Sequence, residues 1–101
     1  MFGSSDIKLI FKKMDEIGFT SVQEFLIFLY IAENPKTTIK IITNENKLSL
    51  SYTKKVLAIL KQKELINSVD DSTDKGNSKL KRQLYFLSQN GQNKYLQVIK
   101  E

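Results

Sequence analysis

Apolar residues first recur at helical spacing, with Ile7, Ile10, Phe11, Met14 and Ile17 following i, i+3, i+4 and i+7. That pattern predicts an amphipathic first helix, with N-cap candidates in Ser4-Ser5-Asp6 and an end at Gly18. The stripe is expected to complete the core or to bury against a second copy. The next segment differs. From Phe25 to Ala32 it is apolar almost all round, which predicts a helix at the centre of the fold, with Phe25, Phe28 and Tyr30 in the core. Ser21-Val-Gln-Glu24 ahead of it has the form of a capping box. Asn34-Pro35 stops the helix, because proline cannot continue it and pushes the preceding residue towards extended backbone. Thr37 or Thr38 then caps a short third helix carrying Ile39, Ile42 and, as a further core candidate, Ile41. Its β-branched content makes it weak by propensity, so packing has to hold it.

Asn44, Asn46 and Lys47 mark a turn, and Ser49 caps a fourth helix. At 100° per residue, Val56, Leu57 and Leu60 fall within about 60° of Thr53. Ser51, Lys55, Ala58 and Gln62 fall on the opposite side, with Tyr52 and Lys54 on the flanks. Leu65 to Val69 reads as a strand, 70–78 as a polar loop, and Leu80 to Leu87 as a returning strand. Ser88-Gln-Asn-Gly91 starts a last helix whose few apolar positions are Tyr95, Leu96, Val98 and Ile99. The expected fold is therefore α+β, four to five helices with a two-stranded hairpin, in one domain over residues 1–101.

Composition narrows the chemistry. The chain has no Cys and no His, which excludes structural zinc in its usual ligand sets, a thiol nucleophile and imidazole catalysis. With the only cluster of acids on a loop tip, neither an enzyme nor a cofactor is expected. The acids Asp70, Asp71 and Asp74 lack the spacing of a calcium loop and are expected to shape the turn or pair with lysines. The run from Phe25 to Ala32 is far shorter than the ~20 residues of a membrane span. Nothing near Met1 has the form of a targeting segment, so the cytoplasm is the expected location.

The net charge of +5 is uneven. Residues 35–63 hold seven Lys against one Glu, and 75–82 hold Lys75, Lys79, Lys81 and Arg82 with no acid. Two basic blocks, one of them on a helix, point to a polyanionic partner. A solvated Lys-rich surface is the other reading of the same composition.

Two helices joined by a tight turn, the second basic, followed by a hairpin, resemble the winged-helix domain of the MarR type. The residues that carry the likeness are Leu48-Ser49-x-Ser51, Leu60-x-x-Lys63-x-Leu65-Ile66, Asp70 and Asp74, and Tyr85-x-Leu87-Ser88-x-x-Gly91. The resemblance places a helix-turn-helix at about 38–63, a wing at about 65–87 and a closing helix at about 88–100. It implies that the helix after the Leu-Ser turn enters the major groove while the wing touches flanking DNA. Three departures stand out. Asn46-Lys47 replaces the usual hydrophobic-Gly turn, the terminal helices are short for a MarR-type dimer and effector cleft, and the Cys and His ligands of ArsR-type metal sensors are missing. The chain is also similar in size and charge to TubR-type proteins, which bind plasmid or phage centromere repeats and recruit a tubulin-like filament.

Lys54 and Lys55 are the foremost DNA-contact candidates, as phosphate or guanine ligands. Ser49 and Ser51 are candidates for phosphate, although Ser49 also serves as the N-cap. Tyr52 either meets the DNA backbone or packs on the preceding helix. Thr38 and Lys47 on the first half of the unit, and Lys75, Asn77, Ser78, Lys79, Lys81 and Arg82 in the wing, complete the set. In strand alternation Lys79 and Lys81 share one face and Arg82 takes the other. The expected function is sequence-specific binding of double-stranded DNA by a homodimer joined through its N- and C-terminal helices, acting as a transcriptional repressor. The alternatives are a segregation adaptor with a filament-forming partner and a winged helix used as a protein-interaction module.

Overall fold

Hydroxyl side chains start four of the helices. The computed structural model describes residues 4–70 and 83–99. Ser21 Oγ accepts from Glu24 N at 3.4 Å to open α2 (Val22–Glu33), and Thr38 Oγ1 accepts from Ile41 N at 3.3 Å to open α3 (Ile39–Glu45). Ser49 Oγ accepts from Tyr52 N at 3.2 Å ahead of α4 (Leu50–Gln62), and Ser88 Oγ from Gly91 N at 3.0 Å at the start of α5 (Gln89–Ile99). Each supplies an acceptor to an N–H that has no partner within its own helix. α1 (Ser4–Glu16) begins at Ser4, so Ser5 and Asp6 lie inside its first turn and do not precede it.

Three helices end alike. After α1, Gly18 N donates to Asp15 O and Phe19 N to Met14 O; after α3, Lys47 N donates to Asn44 O and Leu48 N to Thr43 O. After α4, Glu64 N donates to Lys61 O and Leu65 N to Leu60 O. These are Schellman closures, which need one residue in the left-handed region. Gly18 (φ 89°) takes it without strain, whereas Lys47 (φ 54°) and Glu64 (φ 61°) carry a Cβ there.

The core forms around α2. Ile27, Phe28 and Ile31 are wholly buried, as are Ile42 of α3 and Leu60 of α4, and α2 packs against all the other helices. Phe19 lays its ring 5.5 Å from that of Phe25 and 5.2 Å from that of Phe28, closing the α1 side. Tyr30 is half-buried against the same cluster. Met14 and Ile17 join it as the apolar spacing predicts, but Phe11 is 51% exposed. Ile41 also turns outward, because the other flank of α3 is the one that meets the core through Ile42 and Ile39.

β1 (Ile66–Asp70) pairs antiparallel with β2 (Gln83–Leu87), in a register running from Ile66 opposite Leu87 to Asp70 opposite Gln83. The Asp70 carboxylate accepts from the Gln83 amide where the pair ends. β1 therefore starts one residue later than the alternation predicts, and the part of the second strand before Gln83 lies outside the described residues. Thr37 adds a one-residue third position to the sheet. Lys36 N donates to Tyr85 O at 2.9 Å and Tyr85 N to Thr37 O at 2.8 Å.

Candidate nucleic-acid interface

α4 carries the candidate site, and its inner face is fixed by four side chains. Thr53, Val56, Leu57 and Leu60 are all buried, matching the helical wheel. Thr53 Oγ1 donates to Ser49 O at 2.9 Å and lies 3.0 Å from Thr43 Oγ1, so a hydroxyl pair ties α4 to α3 inside the core. That pairing sets the relative position of the two helices. Thr53, read from the sequence only as a reference point of the apolar stripe, is thus its polar fastening.

With the inner face anchored, the opposite face is left to solvent. Ser51, Lys54, Lys55, Ala58 and Gln62 are all exposed. Ser49 is exposed too, its hydroxyl 3.5 Å from that of Ser51. Small, polar and basic side chains on a rigid helix allow approach to a groove floor while the ammonium groups meet phosphates. Lys47 projects from the turn between α3 and α4, and Lys36 and Lys40 add exposed charge at the start of α3.

The other two lysines of this stretch have different roles. Lys61 Nζ lies 5.6 Å from the centre of the Tyr85 ring, whose phenol pKa is raised by burial. Lys63 Nζ lies 5.0 Å from the Phe19 ring and 3.7 Å from the Glu24 carboxylate. Both ammonium groups lean on the protein's own body while their residues stay exposed, and Lys54 and Lys55 lead the outward basic face of α4.

Thr38 is 6% exposed, and its hydroxyl accepts from Ile41 N as the cap of α3. Tyr52 takes the packing alternative in large part, half-buried against the core cluster. Lys75, Asn77, Ser78, Lys79, Lys81 and Arg82 lie outside the described residues. Sequence reasoning also passed over Leu50, 48% exposed at the first position of α4. Its signal was an aliphatic residue directly after the N-cap, just off the apolar stripe.

No protein-family model and no curated protein matches the sequence. Solved structures do. FabT of Streptococcus pneumoniae, in complex with DNA, superimposes with a TM-score of 0.68 at 18% identity, over 88% of this chain and 62% of its own. MarR of Staphylococcus aureus, in complex with salicylate and kanamycin, gives 0.70 at 21% identity over 91% and 57%. A MarR-like transcriptional regulator from Thermotoga maritima gives 0.70 at 17% identity over 98% and 74%. The fold is the MarR-type winged helix. This chain spans about three-fifths of the length of the first two of these proteins. In MarR-type terms α3 and α4 are the helix-turn-helix and β1 and β2 the described part of the wing. The turn keeps its left-handed residue although a lysine stands where the MarR pattern has glycine.

Among the described residues, no helix is long and apolar enough to cross a membrane, and no cluster of acidic side chains could hold a metal ion.

Proposed function

We propose that this protein binds double-stranded DNA as a transcriptional regulator, inserting α4 into the major groove. The observation that carries the reading is the outward face of α4: Ser51, Lys54, Lys55, Ala58 and Gln62 are solvent-facing on a helix whose other face is locked into the core. Lys54 and Lys55 meet phosphates or guanine edges, Ser49 and Ser51 the backbone, and Lys47 a phosphate beside the turn. The basic residues between 75 and 82 place the wing along the flanking DNA. The working unit is a homodimer joined by its terminal helices, where Leu9 (48% exposed), Phe11 (51%), Leu96 (56%) and Ile99 (56%) stand half out of the core. α1 and α5 pack on one another, although Leu9 and Phe11, two residues apart, leave α1 on different sides. A two-fold dimer presents two copies of α4 to two half-sites about one helical turn apart, which suits a repressor on a pseudo-palindrome.

The test is a footprint of the purified protein on the DNA upstream of its own gene, over a range of concentrations. One protected palindrome of about two helical turns is the expected result. Protection spreading over evenly spaced repeats would instead mark a segregation adaptor of the TubR kind. No protection at low salt would rule out DNA as the partner.

A further inference from the structure

Leu50 is a large aliphatic side chain in an unusual place. It occupies the first position of α4, 48% exposed, between the exposed serines 49 and 51. It borders an open groove with Ile39, Lys40, Thr43 and Asn44 of α3, where apolar surface predominates. Along α4 it stands in one row with Lys54 and Ala58, since residues four apart share a helix face. Both of those are exposed as well. The row is thus aliphatic, cationic and aliphatic along the helix assigned to the major groove.

An aliphatic group framed by serines and lysines is a poor surface for a second copy of the same chain, because Lys40 and Lys54 would face their counterparts. It suits a partner that is anionic at its rim and offers an apolar group at its floor. Duplex DNA has that combination. Phosphates line the major groove, and the C5-methyl of thymine is the apolar feature that base pairs display there.

Building on the DNA-binding reading, we infer that Leu50 is a specificity-determining residue whose isobutyl group packs against a thymine C5-methyl in each half-site, next to the contacts of Lys54. The protein then prefers a T·A pair at one fixed position by apolar contact, independently of the hydrogen bonds proposed for Lys55 and Ser51.

The experiment starts from a duplex selected by the full-length protein out of a randomised library. Each thymidine is replaced in turn by deoxyuridine, which removes only the methyl group and keeps the pairing. Wild type is expected to lose about three- to five-fold in affinity at one position per half-site, the size of one buried methyl at about 0.8 kcal/mol. Leu50→Ala is expected to bind the thymidine duplex more weakly and to be indifferent to deoxyuridine at that position alone. An equal loss in Leu50→Ala would assign the methyl to another residue, and wild type indifferent at every position would remove methyl readout; either overturns the inference. So would a change in sedimenting mass on Leu50→Ala with the deoxyuridine profile intact, which would place Leu50 in a contact between chains. The reading beneath it fails differently: no duplex is recovered, or the recovered duplex binds Lys54→Ala and Lys55→Ala as tightly as wild type. Circular dichroism checks that Leu50→Ala folds, and the deoxyuridine scan on wild type stands whether or not it does.

Discussion

The α3–α4 unit and the pair of terminal helices both present one apolar and one polar face, yet they end in opposite states. In α4 the stripe of Thr53, Val56, Leu57 and Leu60 is sealed in the core, and the outer face is polar and basic apart from Leu50. In α1 and α5 the stripe is split: Met14 and Ile17 are buried and Tyr95 and Val98 half-buried, while Phe11, Leu96 and Ile99 stay half exposed. The first unit offers mainly charge, with Ile41 and Leu50 as its exposed apolar residues. The second is incomplete and offers apolar surface. On the proposed reading, DNA goes to the basic face of α4 and a second copy to the apolar surface left by α1 and α5.

The largest expected effect breaks the unfinished half. Phe11→Asp combined with Leu96→Asp places charge on exposed positions, so each chain should stay folded by circular dichroism. Its sedimenting mass should halve, and affinity for a two-half-site duplex should fall by at least about a hundredfold, as paired binding is lost. Retention of the dimer would move the interface elsewhere.

Gly91→Ala disturbs the junction of the two halves. The new Cβ would fall 2.0 Å from Leu65 O, on the turn that leaves α4, where Ser88 Oγ also donates to Glu64 O at 2.6 Å. A loss of about 3 kcal/mol in urea unfolding is expected, because backbone has to move.

Lys47→Gly and Glu64→Gly sharpen the contrast between a left-handed residue on the DNA side and one away from it. Each should gain about 0.5–1 kcal/mol of stability by relieving the Cβ strain, partly offset by the freedom of glycine in the unfolded chain. Only Lys47→Gly should weaken DNA binding, lowering the salt slope by about one unit. Lys63→Gln is the smallest change. Its pairing with Glu24 is partly exposed, so well under 1 kcal/mol of stability is at stake, and DNA affinity should hold.

The local features of this fold were legible in the chain. Ser21, Thr38 and Ser49 sit where a hydroxyl must cap, and the 100° wheel sorted α4 correctly because its stripe contacts one continuous core. Periodicity fails where burial depends on what lies opposite. Phe11 and Ile41 fit their helical patterns, but none of the described residues covers them fully. Contacts distant in sequence were also hidden. Lys63 reads as one more basic residue until Glu24 and Phe19 come beside it, and Gly91 reads as a helix boundary until Leu65 O presses against it. The hydroxyl pair of Thr43 and Thr53 has the same cause, since neither residue alone signals a partner across the turn.

The most direct measurement is a salt titration of binding to a fluorescent duplex, for wild type and for the Lys54→Ala, Lys55→Ala double variant. If the outward face of α4 is the DNA-binding surface, the double variant binds more weakly by about 1 kcal/mol or more per lysine, and its slope against log salt is shallower by about two units per chain if both lysines meet phosphates. Equal affinity and an equal slope would contradict the assignment and take α4 out of the groove.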